Sequence, residues 1–139
     1  MKILAVDFGD ARTGLAVCDK DELIASPLTV INDGYKERVI EKIIDAAKEN
    51  RVEEIVVGNP INMNGTAGPR SELCRSVADA LAEKSGIPVR LWDERSTTVS
   101  AIGILNQTDV RGKKRKAVID AVAAVLILES YMAYRKNHR

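Results

Sequence analysis

Histidine and cysteine are almost missing from this chain of 139 residues, which has one His and two Cys. His138 is the penultimate residue, where a chain end is expected to fray, and Cys18 and Cys74 lie far from it and from each other. A structural zinc site needs four close ligands of these types and a nucleophilic triad needs a firmly held base, so neither is expected. The two cysteines read as reduced, small apolar fillers. Aromatic residues make up 4%, too few for the stacking platform with which single-strand-binding folds hold bases. Long apolar runs are absent as well. Nothing approaches the roughly 18 residues of a membrane span, and the opening MKILAVDFGD meets an acid too early for a signal peptide. A soluble, cytoplasmic protein of one domain, 1–139, is expected, too short for the two-domain cleft of actin-like ATPases and sugar kinases. What remains for chemistry is carboxylates, backbone amides and basic side chains.

Net charge is also scarce, at +1, but the total conceals a division. Residues 1–110 hold 13 Lys and Arg against 18 Asp and Glu, a balance of −5, whereas residues 111–139 hold 8 against 2, a balance of +6. Most of that excess is the run Arg111, Lys113, Lys114, Arg115 and Lys116. A basic run alone suits a solvated loop. It suits a polyanion only if the acidic part gives one a reason to come.

The apolar pattern predicts an α/β domain. Lys2–Phe8, Gly14–Cys18 and Leu23–Ile31 read as three strands in an antiparallel meander, the third confined to an edge or a bulge by Pro27. A helix over about 36–50 places Val39, Ile40, Ile43, Ile44 and Ala47 on one face. Glu54–Gly58 is a buried strand, 59–69 a loop rich in Gly, Pro and Asn, and Arg70–Ser85 a helix stopped by Gly86, with Leu73, Val77, Ala80 and Leu81 on its apolar face. Val89–Trp92 is a short strand. Thr97 or Thr98 can cap a further helix through about Gln107. Residues 106–116 read as a mobile, charged loop, and Ala117–Tyr134 as a long helix, apolar nearly all round and therefore buried. The order βββαβαβα, with two crossover helices, makes the first, fourth and fifth strands parallel.

Several acids stand in apolar settings. Asp7 ends a buried strand, Asp93 and Glu94 follow VRLW, and Asp120 sits within AVIDAVAAVLIL. Burying a charge costs several kcal/mol, roughly, unless an ion pair or a metal compensates. Parallel strands discharge their carboxyl ends at one edge, and with Asp120 at that edge the acids converge. A hard divalent cation, Mg2+ or Mn2+, resolves their repulsion and supports hydrolysis of a phosphodiester. Taken singly, each acid has a plainer use: Asp7 caps a turn, Asp93 or Glu94 pairs with Arg95, and Asp120 pairs with a base. The segment from Asp7 to Gly14 offers glycines and Arg12 to a phosphate, and the loop from Gly58 to Gly65, running into Arg70 near a helix start, offers amides.

Four segments together resemble the YqgF family, described both as Holliday junction resolvases and as pre-16S rRNA nucleases. They are DFGDARTGLAVCD (7–19), VGNPINMNG (57–65), DERSTT (93–98) and RGKKRKAVIDAVAA (111–124), in the family's order over almost the whole chain. The likeness implies a ribonuclease-H-like fold with a five-stranded mixed sheet in the order 3-2-1-4-5. It implies metal binding by Asp7, by one of Asp93 and Glu94, with Glu94 slightly favoured, and by Asp120. Arg12, Arg95, Thr97 and Thr98 fall at motif positions that imply substrate contact or support of the acids, and Arg111, Lys113, Lys114, Arg115 and Lys116 would neutralise phosphates. Asn59, Ser96 and Cys18 depart from the family's usual Leu, Leu and Ser and leave the acids intact.

The leading expectation is a Mg2+- or Mn2+-dependent endonuclease on structured nucleic acid, trimming the 5′ end of pre-16S rRNA as a monomer or homodimer, with a ribosomal precursor particle as a possible partner and no membrane involved. A DNA junction resolvase would use the same acids but calls for a symmetric dimer. A non-catalytic RNA-binding assembly factor would need the basic run and not the acids. An actin-like ATPase rests on Asp7-x-Gly9 and the loops, and both length and the single phosphate-loop-like segment count against it.

Overall fold

The computed structural model describes residues 1–59, 68–93 and 112–137, with side chains of the last segment from Val122 onward. Its strands are β1 (Ile3–Asp7), β2 (Thr13–Cys18), β3 (Ala25–Ile31), β4 (Glu54–Asn59) and β5 (Val89–Asp93), and its helices α1 (Lys36–Glu49), α2 (Pro69–Ser85) and α3 (Gly112–Asn137). One five-stranded sheet has the order β3-β2-β1-β4-β5. β1 pairs antiparallel with β2 and parallel with β4, and β4 pairs parallel with β5. The expected order 3-2-1-4-5 is the one observed. Pro27 lies on edge strand β3, where the register with β2 skips Leu28 at a bulge, so both constraints that proline imposes are met at once.

Local chemistry fixes the ends of the helices. Before α1, Asp33 accepts a hydrogen bond from the Tyr35 amide (2.9 Å) and two from the Arg38 guanidinium, which hold its carboxyl far below the usual range. At the other end the Asn50 amide and side chain both donate to Ala46 O, and Arg51 takes a left-handed φ of 55°. Pro69 opens α2, and Gly86, at φ 72°, closes it in the left-handed conformation that a Cβ disfavours.

Alternation along the strands divides the core in two. Leu4, Val6, Ile55 and Val57 face α1 and α2, meeting Val39, Ile40, Ile43, Val77 and Leu81. Ile3, Ala5, Ala16 and Val56 face α3, meeting Ala124, Ile127, Leu128 and Tyr131. Cys18 and Cys74 are free thiols, one in each half, and burial raises the pKa of Cys18.

Three expectations need correction. Residues 112–116 are helical rather than loop, because Lys and Arg are good helix formers and a polar composition does not prevent a helix. α3 is not buried all round: Ala124, Ile127, Leu128, Tyr131 and Met132 are buried while Glu129, Ala133 and Lys136 are exposed, because the sheet covers only one of its faces. The buried stripe of α2 is centred on Cys74, Val77, Ala78 and Leu81, with Leu73 and Ala80 at its margin. The helix expected over about 97–107 lies outside the described residues.

The two-sided core makes a stability prediction. Leu128 is fully buried and Leu23 is 76% exposed. Leu128→Ala is expected to cost about 2–5 kcal/mol in urea unfolding, and Leu23→Ala no more than about 0.5. Equal losses would contradict the burial of α3 on the sheet.

Candidate active site

The parallel pairing of β1, β4 and β5 brings their carboxyl ends to one edge of the sheet. Asp7 is the last residue of β1 and pairs with Gly14; Asp93 is the last of β5 and pairs with Asn59. The strand pleat separates the two acids. Asp7 alternates with Ile3 and Ala5 and so belongs to the α3 face, whereas Asp93 follows Val89 and Leu91 on the face of α1 and α2. Trp92, one residue earlier, belongs to the α3 face and donates from Nε1 to Ser130 Oγ at 3.0 Å. Asp7, Arg12 and Asp93 each take part in polar or ring contacts.

The turn after Asp7 is tightly held. A Cβ on Gly9 would lie 2.0 Å from Arg12 O, so only glycine fits there. The Gly9 amide faces Thr13 Oγ1 at 3.4 Å. From α2, Arg70 donates to Phe8 O and, at 2.5 Å, to Asp10 Oδ1, while its guanidinium lies 5.9 Å from the centre of the Phe8 ring. Beside it, Ser71 donates to Asn59 Oδ1 at 2.7 Å, and both side chains are buried. The first turn of α2 is thereby tied to the carboxyl ends of both β1 and β4.

The direction of α3 is set at its far end. Tyr131 donates to Glu54, the first residue of β4, which is level with Ile3. Arg135 donates at 2.7 Å to Glu22 beyond β2, and this carboxylate raises the pKa of Arg135. The amino-terminal half of α3 therefore runs toward the edge that carries Asp7. At roughly 1.5 Å per residue, residue 120 lies about 16 Å back along the helix from Tyr131; β1 covers about 13 Å from Ile3 to Asp7. Residue 120 also precedes Ala124, Ile127, Leu128 and Tyr131 at the spacing of their common buried stripe.

Among the described residues no group of three or more His, Cys, Asp or Glu is close enough to hold a metal. The expected set is only partly within view. Glu94, Arg95, Thr97, Thr98 and Arg111 lie outside the described residues, and so do the side chains of Lys113, Lys114, Arg115, Lys116 and Asp120, whose backbone belongs to α3. Asp7 supplies the kind of oxygen donor that Mg2+ and Mn2+ take.

Two features of the edge were not foreseen. Asn59, read from sequence as the start of a loop, is the buried last residue of β4. The signal was Ser71, a polar residue three before Cys74 on an apolar helical face, which needs a buried partner. The grip of Arg70 on Phe8 O had no local signal, because it joins positions far apart in the chain.

The Holliday junction resolvase family RuvX matches residues 1–134. Two curated relatives, both named "Putative pre-16S rRNA nuclease", come from Halothermothrix orenii and Carboxydothermus hydrogenoformans. The first is 44% identical over 99% of this chain and 98% of its own length. The second is 43% identical over 99% and 100%. Among solved structures, Thermus thermophilus RuvC covers 99% of this chain and 97% of its own, with a TM-score of 0.62 at 15% identity. The fowlpox virus Holliday junction resolvase covers 97% and 99%, with a TM-score of 0.61 at 14% identity. The fold is that of the ribonuclease-H-like resolvases, and with a family match over nearly its full length this chain belongs to the RuvX (YqgF) family of nucleases.

Proposed function

We propose that this chain is a Mg2+- or Mn2+-dependent endonuclease that matures the 5′ end of pre-16S rRNA in the cytoplasm, with one domain spanning 1–139. The observation that supports the reading is that Asp7 ends β1 at the carboxyl edge of the parallel strands, the edge toward which the amino-terminal half of α3 runs. The names of the relatives favour precursor rRNA as substrate. A DNA junction is the second reading, favoured by the description of the family; symmetric resolution calls for a homodimer, whereas trimming one RNA end is work for a monomer.

Asp7, Glu94 and Asp120 would hold the metal. Glu94 is preferred to Asp93 because Asp93 follows Val89 and Leu91 onto the face of the sheet opposite Asp7. When bound, the ion supplies Lewis acidity at the phosphate and lowers the pKa of the attacking water. The chain's own residues do the rest. Arg12, in the turn that follows Asp7, orients the phosphate; Arg95, Thr97 and Thr98 contact the strand or support the acids. Arg111, Lys113, Lys114, Arg115 and Lys116 neutralise the flanking backbone. A ribosomal precursor particle would present the RNA.

Asp7→Asn and Asp120→Asn are each expected to lower cleavage of a precursor rRNA by at least about a hundredfold, as loss of a metal or charge-stabilising group does, while binding persists. Full activity in the double variant would refute the mechanism. Glu94→Gln should match them and Asp93→Asn should retain most of the rate; the reverse ranking would move the metal ligand to Asp93. Side-by-side assays on precursor rRNA and a four-way DNA junction, with mass measured in solution, separate the two substrates.

A further inference from the structure

Arg70 sits at the candidate edge, and among the described residues the acid it pairs with is Asp10. One arm of its guanidinium holds Phe8 O, and the other holds Asp10, a carboxylate that is 89% exposed while Arg70 is 35% exposed. These two partners differ in kind. Phe8 O is a fixed backbone acceptor immediately after Asp7. Asp10 is a solvated side chain in an exposed ion pair, which contributes little to stability and is readily exchanged. A guanidinium anchored on one arm and facing water through an exchangeable carboxylate on the other is prepared to accept a different oxyanion. Its fork suits a phosphate as well as a carboxylate.

We infer that Arg70 contacts a phosphate of the nucleic-acid backbone and that Asp10 occupies the position of that phosphate until substrate arrives. The inference rests on the nuclease reading and adds a contact to it. Phe8 faces α1 and α2 whereas Asp7 faces α3, so the phosphate held by Arg70 neighbours the scissile one and is not itself cut. The Phe8 bond persists on binding, keeping the turn after Asp7 in place as Asp10 is displaced. Asp10 thus acts as a competitor within the chain. Its removal should strengthen binding, and only while Arg70 is present.

The test is equilibrium binding in Ca2+ of two fluorescein-labelled probes, a stem-loop RNA with a single-stranded 5′ extension and a four-way DNA junction, across a salt series. Arg70→Gln is expected to weaken binding about tenfold and to reduce the slope of log K against log salt by about 0.7–0.9. Arg70→Lys, which keeps the charge, should retain the slope. A purely bracing role would move the melting temperature and leave the slope alone. Asp10→Asn should tighten binding roughly three- to tenfold at low salt and have no effect in the Arg70→Gln background. An equal gain in both backgrounds would mean general repulsion and would overturn the competitor role. An unchanged slope in a folded Arg70→Gln protein would overturn the phosphate contact alone, whereas failure of the wild-type chain to bind either probe would overturn the nuclease reading with it.

Discussion

Everything at the candidate edge depends on a strand with no solvent on either face. Ile3, Leu4, Ala5 and Val6 are fully buried, two packing under α3 and two under α1 and α2. A strand so enclosed has no freedom of register, because a slip of one residue would exchange its faces and drive Asp7 against the wrong helices. Parallel pairing with β4 passes that register to β5, and antiparallel pairing passes it to β2. The backbone position of the carboxylate at the end of β1 is therefore set by the core. What the core leaves to local chemistry is the turn beyond it, and there Gly9 and Arg70 take over.

The fold was largely legible because its signals are local. Strand runs and the crossover rule led to the element order and the parallel strands, the family resemblance implied the sheet order that is observed, and Pro27, read as marking an edge or a bulge, sits at both. The errors came where composition stood in for structure. Lys113 to Lys116 read as loop because they are charged, yet charge does not oppose a helix as glycine or proline does. α3 read as buried throughout because its residues are apolar, yet burial depends on what covers each face, and the sheet covers one. At the site, Asp7 was legible as an acid closing an apolar strand. The opposite facing of Asp93 was not, since it follows from the pairing of β5 with β4 and the side on which each helix lies. Arg70 was legible only as a basic residue near a helix start; its hold on Phe8 O joins segments that the fold alone brings together.

The correction to α3 sharpens the division of charge. As a solvated loop, the run from Arg111 to Lys116 would be neutral in cost. From Gly112 on, the run is the opening of a helix: Lys113, Lys114, Arg115 and Lys116 lie at the end where the backbone dipole is positive, and the first turn holds no acid to offset them. Like charges so close in sequence repel one another, and counterions relieve such repulsion. A polyphosphate backbone relieves both terms at once, since it is attracted by the cations and by the helix terminus itself. The same helix carries residue 120 in its backbone, about one turn beyond Lys116. In the proposed reaction one rigid element then presents opposite fields at two depths, cations where the substrate backbone arrives and a carboxylate where the metal is held. The acidic body, at −5, and the basic carboxyl-terminal stretch, at +6, would then be related by geometry as well as by sign: the acids alone would repel a nucleic acid, and in the proposed reaction the helix that carries residue 120 is also the element that draws the nucleic acid in.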